Sequence, residues 1–169
     1  MNDYRKAIEL ALAMEQPGRL LSLFKTISTN EFEENSLTGR SSVDEAIRTL
    51  GGADLAKLLG FARDWNTNAK TSRIAQGVLY AIVKLKSAEE VIQALQDGTR
   101  DVVFTGGKTS GMTLKELVDA LIPYTERHLA RVNKLVQESY MVDYILREMD
   151  DGMFDEMDVD EEFHLTSGL

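Results

Sequence analysis

Apolar residues recur at three- and four-residue steps along most of the chain, the period of an amphipathic helix. In "DYRKAIELALAM" Ile8, Leu12 and the neighbouring alanines fall on one face, and "QPGRLLSLFKTI" restarts the pattern with Pro17, whose missing amide costs nothing in a first helical turn. Together they predict a helical hairpin. Residues 28–40, "STNEFEENSLTGR", carry no period and many turn formers, which predicts a loop. Beyond it "ADLAKLLGFARDW" aligns Leu55, Leu58, Leu59, Ala62 and Trp65, and "SRIAQGVLYAIVKL" aligns Ile74, Val78, Ile82 and Leu85. "SAEEVIQALQ", "TLKELVDALI" and a long final segment beginning at Pro123 continue the series. Ser42 with Glu45, Ser87 with Glu90 and Thr113 with Glu116 have the spacing of reciprocal capping boxes and predict three helix starts. "DVVFTG" is the one β-like run, and a lone strand has nothing to pair with. The expected fold is therefore all-α: an irregular stack of about seven or eight helices in helical hairpins, with a long C-terminal helix and an acidic tail.

That last helix, "PYTERHLARVNKLVQESYMVDYILREM", has more apolar surface than one face requires. Val132, Leu135, Ser139, Val142, Leu146 and Met149 alternate three- and four-residue steps, a seam like that of a coiled coil. At about 100° per residue, Tyr140, Met141, Tyr144 and Ile145 point away from the seam. A helix apolar in nearly every direction needs burial on all sides. Either a second polypeptide covers the excess, or residues 1–30 wrap around it. The first alternative makes Tyr140, Met141, Tyr144, Ile145 and Met149 a partner interface, with Trp65 as a further candidate. Trp65 stands in "RDWNTNAKTSR", where its other role is to clamp a helix corner. There an asparagine tolerates the left-handed conformation that ends a helix, and Asn68 caps the next one, expected from about Ala69.

Composition narrows the picture without adding chemistry. With 169 residues and 43% apolar content, the chain suits one domain that covers its core without crosslinks. Cysteine is absent, and the two histidines, His128 and His164, stand 36 positions apart, so neither a disulfide framework nor a metal site is expected. No apolar run reaches the length of a membrane span, and "MNDYRKAIEL" lacks the pattern of a secretory signal, which predicts a soluble chain not exported by that route. The net charge of −9 resides in residues 148–162, which hold nine acids and no base; the remaining acids and bases balance. The expected division is a helical domain over 1–149 and an acidic tail over 150–169, too polar to offset its own chain entropy and so disordered, or else an interaction tail contacting a basic partner through Met153, Phe154 and Met157.

Candidate chemistry is sparse. In "DVVFTGGKTSG" the segment around Lys108 ends like a phosphate-binding loop, but Val102 occupies the position of its first glycine and no helix follows Thr109 directly. An exposed loop is the expectation, with no nucleotide and no other cofactor. The paired acids Glu33-Glu34 and Glu89-Glu90 belong to a loop and a first helical turn, where they need no acid–base role. No catalytic residue is assigned. Arg127, Arg131 and Lys134 form a basic stripe at i, i+4 and i+7 that could meet phosphates, although a body of balanced charge argues against RNA binding as the main task.

Three long strings, "LALAMEQPGRLLSLF", "RDWNTNAKTSRIAQGVL" and "IPYTERHLARVNKLVQESYMVDYIL", resemble the C-terminal helical domain of the U3 small nucleolar RNA-associated protein 13 family, called transducin-beta-like protein 3 in animals. The residues matching its signature are Trp65, Asn66, Asn68, Arg73, Tyr124, Glu126, Arg127, Glu138, Tyr140 and Tyr144. "TGGKTSGM" and the tail match no pattern of that family. The resemblance implies an assembly module without catalytic residues, from a nucleolar WD-repeat protein whose propellers precede it. It further implies membership of the UtpB subcomplex of the small-subunit processome, acting with U3 small nucleolar RNA on pre-ribosomal RNA. There the module would pair with the equivalent helical domain of a sister WD-repeat subunit.

Overall fold

The computed structural model describes residues 4–30, 33–105 and 112–157, the side chains of 99–105 and 151–157 excepted. Seven helices follow one another among these residues: α1 (Tyr4–Ala13), α2 (Pro17–Thr29), α3 (Ser41–Thr49), α4 (Gly52–Asn66), α5 (Ser72–Leu85), α6 (Ala88–Thr105) and α7 (Leu114–Met157). No strand occurs among them. The β-like run over 101–105 is the end of α6, where the helix already under way overrides strand propensity.

The chain divides between Glu126 and Arg127 into two units, and α7 contributes to both. Within the first unit α4 is central, packed against α6, α5 and α1. It buries Leu55, Leu58, Leu59, Ala62 and Trp65, the face predicted from spacing. Gly98 lets α6 approach closely, since a Cβ there would lie 2.7 Å from Cβ of Ala56. The first hairpin closes through a paired C-terminal turn. The Gln16 amide donates to the Ala11 carbonyl and the Glu15 amide to the Leu12 carbonyl, with Glu15 itself left-handed at φ 49°.

Two of the three capping boxes form. Ser87 and Glu90 exchange hydrogen bonds of 2.9 and 3.2 Å, as do Thr113 and Glu116. The Ser42–Glu45 box does not form, because α3 starts two residues earlier than that box requires, with Arg40 in the cap position and no cap from its side chain. Loop residues stand in: Glu33 accepts the Ser41 amide at 2.7 Å. Asp44 turns back to accept from Ser36 Oγ, the Leu37 amide, the Thr38 amide and Thr38 Oγ1, all within 3.0 Å. The predicted loop is thereby tied to the helix it precedes.

The expected helices on either side of Pro123 are one. Pro123 offers no amide to the Asp119 carbonyl and crowds the preceding turn, a cost of about 3 kcal/mol inside a helix. Anchors on both sides carry α7 through it: Leu117 is buried in the core before the proline, and Thr125 is hydrogen-bonded just after it. Helix α7 also continues to Met157, past the expected boundary at 149; residues 158–169 lie outside the described residues.

Candidate protein-interaction surface

The start of α7 is fixed by buried polar contacts. Asn66, at the end of α4, is completely buried. Its amide nitrogen donates to Thr125 Oγ1 at 3.1 Å and to the Leu121 carbonyl at 3.4 Å, and its oxygen accepts from Gln76 Nε2 at 2.7 Å. Gln76 Nε2 also donates to Thr125 Oγ1 at 3.0 Å, closing a network between α4, α5 and α7. Gln76 and Thr125 were not singled out from sequence. The available signal was a polar residue in core register: Thr125 follows Leu117 and Leu121 at four-residue steps.

Residues 127–150 present the opposite situation. Eleven large apolar side chains between Leu129 and Met149 are exposed, from 46% at Val136 to 71% at Tyr140. They include the seam residues Val132, Leu135, Val142, Leu146 and Met149 and the off-seam residues Tyr140, Met141, Tyr144 and Ile145. Leu129 and Val136 add to the surface expected from sequence. Apolar patches of this extent are uncommon on the surfaces of monomeric globular proteins.

The basic stripe shares this stretch. Arg127, Arg131 and Lys134 are exposed, and Lys134 lies 3.7 Å from Glu138. The charge is polarised: 127–134 carries three positive residues and no acid, whereas 138–150 holds Glu138, Asp143, Glu148 and Asp150 against Arg147 alone.

Trp65 belongs elsewhere. It is 7% exposed, with Phe24 edge-on at 6.3 Å and Phe61 tilted at 6.2 Å, so its ring clamps the corner and presents no free face. The corner is further held by Thr71 Oγ1 donating to the Trp65 carbonyl at 2.6 Å. Asn68 accepts the Lys70 amide through Oδ1 but α5 begins only at Ser72, and no residue of this corner takes a positive φ. The chain stays right-handed here because short-range hydroxyl and amide contacts satisfy the end of α4 without a left-handed turn. Arg73 and Glu126 are exposed and Tyr124 is half-buried.

The Lys108 loop and His164 lie outside the described residues, as do the side chains of Met153, Phe154 and Met157. An open groove of about 380 Å³ runs past Gly51, Gly52, Lys86, Glu89 and Glu90. Lys86 in it donates to the Arg48 carbonyl at 2.6 Å, and Glu90 serves its capping box, so both side chains are engaged in structure. Among the described residues no three potential metal ligands cluster, and no helix is long and apolar enough to cross a membrane.

The model of the Utp13 specific WD40 associated domain matches residues 1–149. The chain belongs to that family. Among its relatives is the U3 small nucleolar RNA-associated protein 13 of Saccharomyces cerevisiae, 34% identical over 88% of this chain and 17% of the relative. Transducin beta-like protein 3 of Rattus norvegicus and of Homo sapiens are each 26% identical over 86% of this chain and 15% of the relative. The chain thus spans about a sixth of the length of these relatives. The matched region takes in the Asn66 network and the whole of the exposed 129–149 surface.

Proposed function

We propose that this chain is a non-catalytic protein-interaction domain of a WD-repeat subunit of the small-subunit processome. On this reading it pairs, within UtpB, with the equivalent helical domain of a sister subunit, and serves pre-ribosomal RNA processing and small ribosomal subunit assembly in the nucleolus. Tyr140, Met141, Tyr144, Ile145 and Met149 form the docking face; Trp65 is left to the core. The observation that carries this reading is the exposure of eleven large apolar side chains on one stretch of helix. Family membership and the name of the yeast relative, which ties that protein to U3 small nucleolar RNA, support the ribonucleoprotein setting.

The test is co-expression with the helical C-terminal domains of sister WD-repeat subunits. One of them co-elutes with this chain, and Tyr140→Asp with Tyr144→Asp abolishes the complex. Absence of any complex, or one indifferent to both substitutions, overturns the reading. The exposed stripe Arg127, Arg131 and Lys134 favours a second reading, direct RNA contact. Salt separates the two, because three phosphate contacts predict about a twenty- to fortyfold loss of affinity for a fourfold rise in salt. Apolar helix packing is nearly unaffected by that change.

A further inference from the structure

We infer that the seam of α7 pairs in antiparallel orientation with α7 of a second copy of this chain. Met149 belongs to both faces; otherwise the inference uses a face separate from the docking face above, and Val132, Leu135, Val142 and Leu146 carry it whoever occupies that one. In heptad register Val132, Leu135, Ser139, Val142, Leu146 and Met149 make the seam, while Tyr140, Met141 and Tyr144 lie on the back of the helix. Every large apolar seam residue is at least 54% exposed.

Reversal maps the seam onto itself. About a centre between Tyr140 and Met141, Val132 faces Met149, Leu135 faces Leu146 and Ser139 faces Val142, so each level is filled and none is left over. A self-complementary patch of this kind is what a two-fold interface requires. Charge selects the direction. A parallel copy would lay Arg127, Arg131 and Lys134 on themselves and the acids of 138–150 on themselves. The antiparallel copy sets the basic stretch of each chain beside the acidic stretch of the other, with Arg131 level with Asp150. Two levels carry like charges, Lys134 with Arg147 and Glu138 with Asp143, and the opposite-charge match is one of stretches, basic 127–134 against acidic 148–150, and not of every level. The acids also crowd the C-terminal end of α7, where they oppose the helix dipole. The basic stretch of a reversed neighbour offsets that repulsion.

Light scattering and sedimentation of the 169-residue chain read twice 18.9 kDa. Val142→Asp with Leu146→Asp returns the mass to 18.9 kDa with unchanged helical content, both side chains being exposed. Tyr140→Asp with Tyr144→Asp leaves the dimer intact, which separates this face from the sister-subunit face. Because the chain has no cysteine, orientation can be read directly. Val132→Cys alone and Met149→Cys alone stay unlinked on mild oxidation, since like positions lie about 25 Å apart along antiparallel helices. A mixture of the two variants crosslinks. An unaltered chain of 18.9 kDa, a dimer that survives Val142→Asp with Leu146→Asp, or self-crosslinking of Val132→Cys overturns the inference.

Discussion

Asn66 is buried without being apolar, so its cost must be met by its hydrogen bonds, and three of them join α4 to α5 and α7. Asn66→Ala removes them and leaves the Gln76 amide with Thr125 Oγ1 as its remaining partner in the network, a loss of about 2–3 kcal/mol by urea denaturation. Thr125→Val costs less, about 1 kcal/mol, because Asn66 and Gln76 still bond each other. Equal losses would mean that the three residues do not act as a network centred on Asn66. Asp44 poses the same question in the loop. Asp44→Asn sets an amide nitrogen against the four donors of Ser36, Leu37 and Thr38. A loss of about 1–3 kcal/mol is expected, with proteolysis between Ser36 and Arg40 accelerated. None of these partnerships was legible beforehand, since period and composition locate faces and helix ends but not which polar side chains meet across the core.

Helix ends were more readable, because capping rests on residues three positions apart. Ser87–Glu90 and Thr113–Glu116 behaved as their spacing required, whereas the equally spaced Ser42–Glu45 lost its place when Glu33, eight residues before Ser41, took the Ser41 amide. A distant competitor of that kind has no local signal. The hydrogen bond from the Ser87 amide, and that from Thr113, hold the carboxyls of Glu90 and Glu116 below the ordinary glutamate value of 4.5. The unfolded chain therefore takes up protons first as pH falls. The caps' contribution is complete above 4.5 and is lost as pH drops through the lower folded-state values. Denaturation midpoints should decline over that acid window, and less steeply in the double variant Glu90→Gln with Glu116→Gln; an unchanged slope removes these caps from the account. At the end of α1, Glu15 takes the left-handed position that glycine usually fills. Glu15→Gly should stabilise the hairpin by about 0.5–1 kcal/mol, since the strain relieved exceeds both the chain entropy added and the exposed 3.6 Å pair with Lys57. A lower melting temperature would contradict this.

At the scale of the molecule, the sequence pattern conveyed the all-α class, the faces of α1, α4 and α5, and an apolar excess on the last helix. It misjudged Pro123, because tertiary anchors at Leu117 and Thr125 carry the helix through a residue that would end an isolated one. It also left Trp65 undecided between core and surface, since a large aromatic at a helix corner serves either. The resulting molecule has two kinds of apolar surface with different consequences. Leu58 is completely buried, so Leu58→Ala should lower the stability of the 1–126 unit by about 2–5 kcal/mol. Tyr140 and Tyr144 are exposed and off the seam, so their change to Asp should shift stability by no more than about 0.5 kcal/mol while removing the docking face. Trp65, the only tryptophan and nearly buried against Phe24 and Phe61, reports unfolding of that unit through its fluorescence. If Tyr140→Asp with Tyr144→Asp moved the Trp65 transition as far as Leu58→Ala does, the tyrosines would be part of the chain's own core. An unmoved transition with a lost complex instead separates the residues that hold the fold from those that present it to a partner.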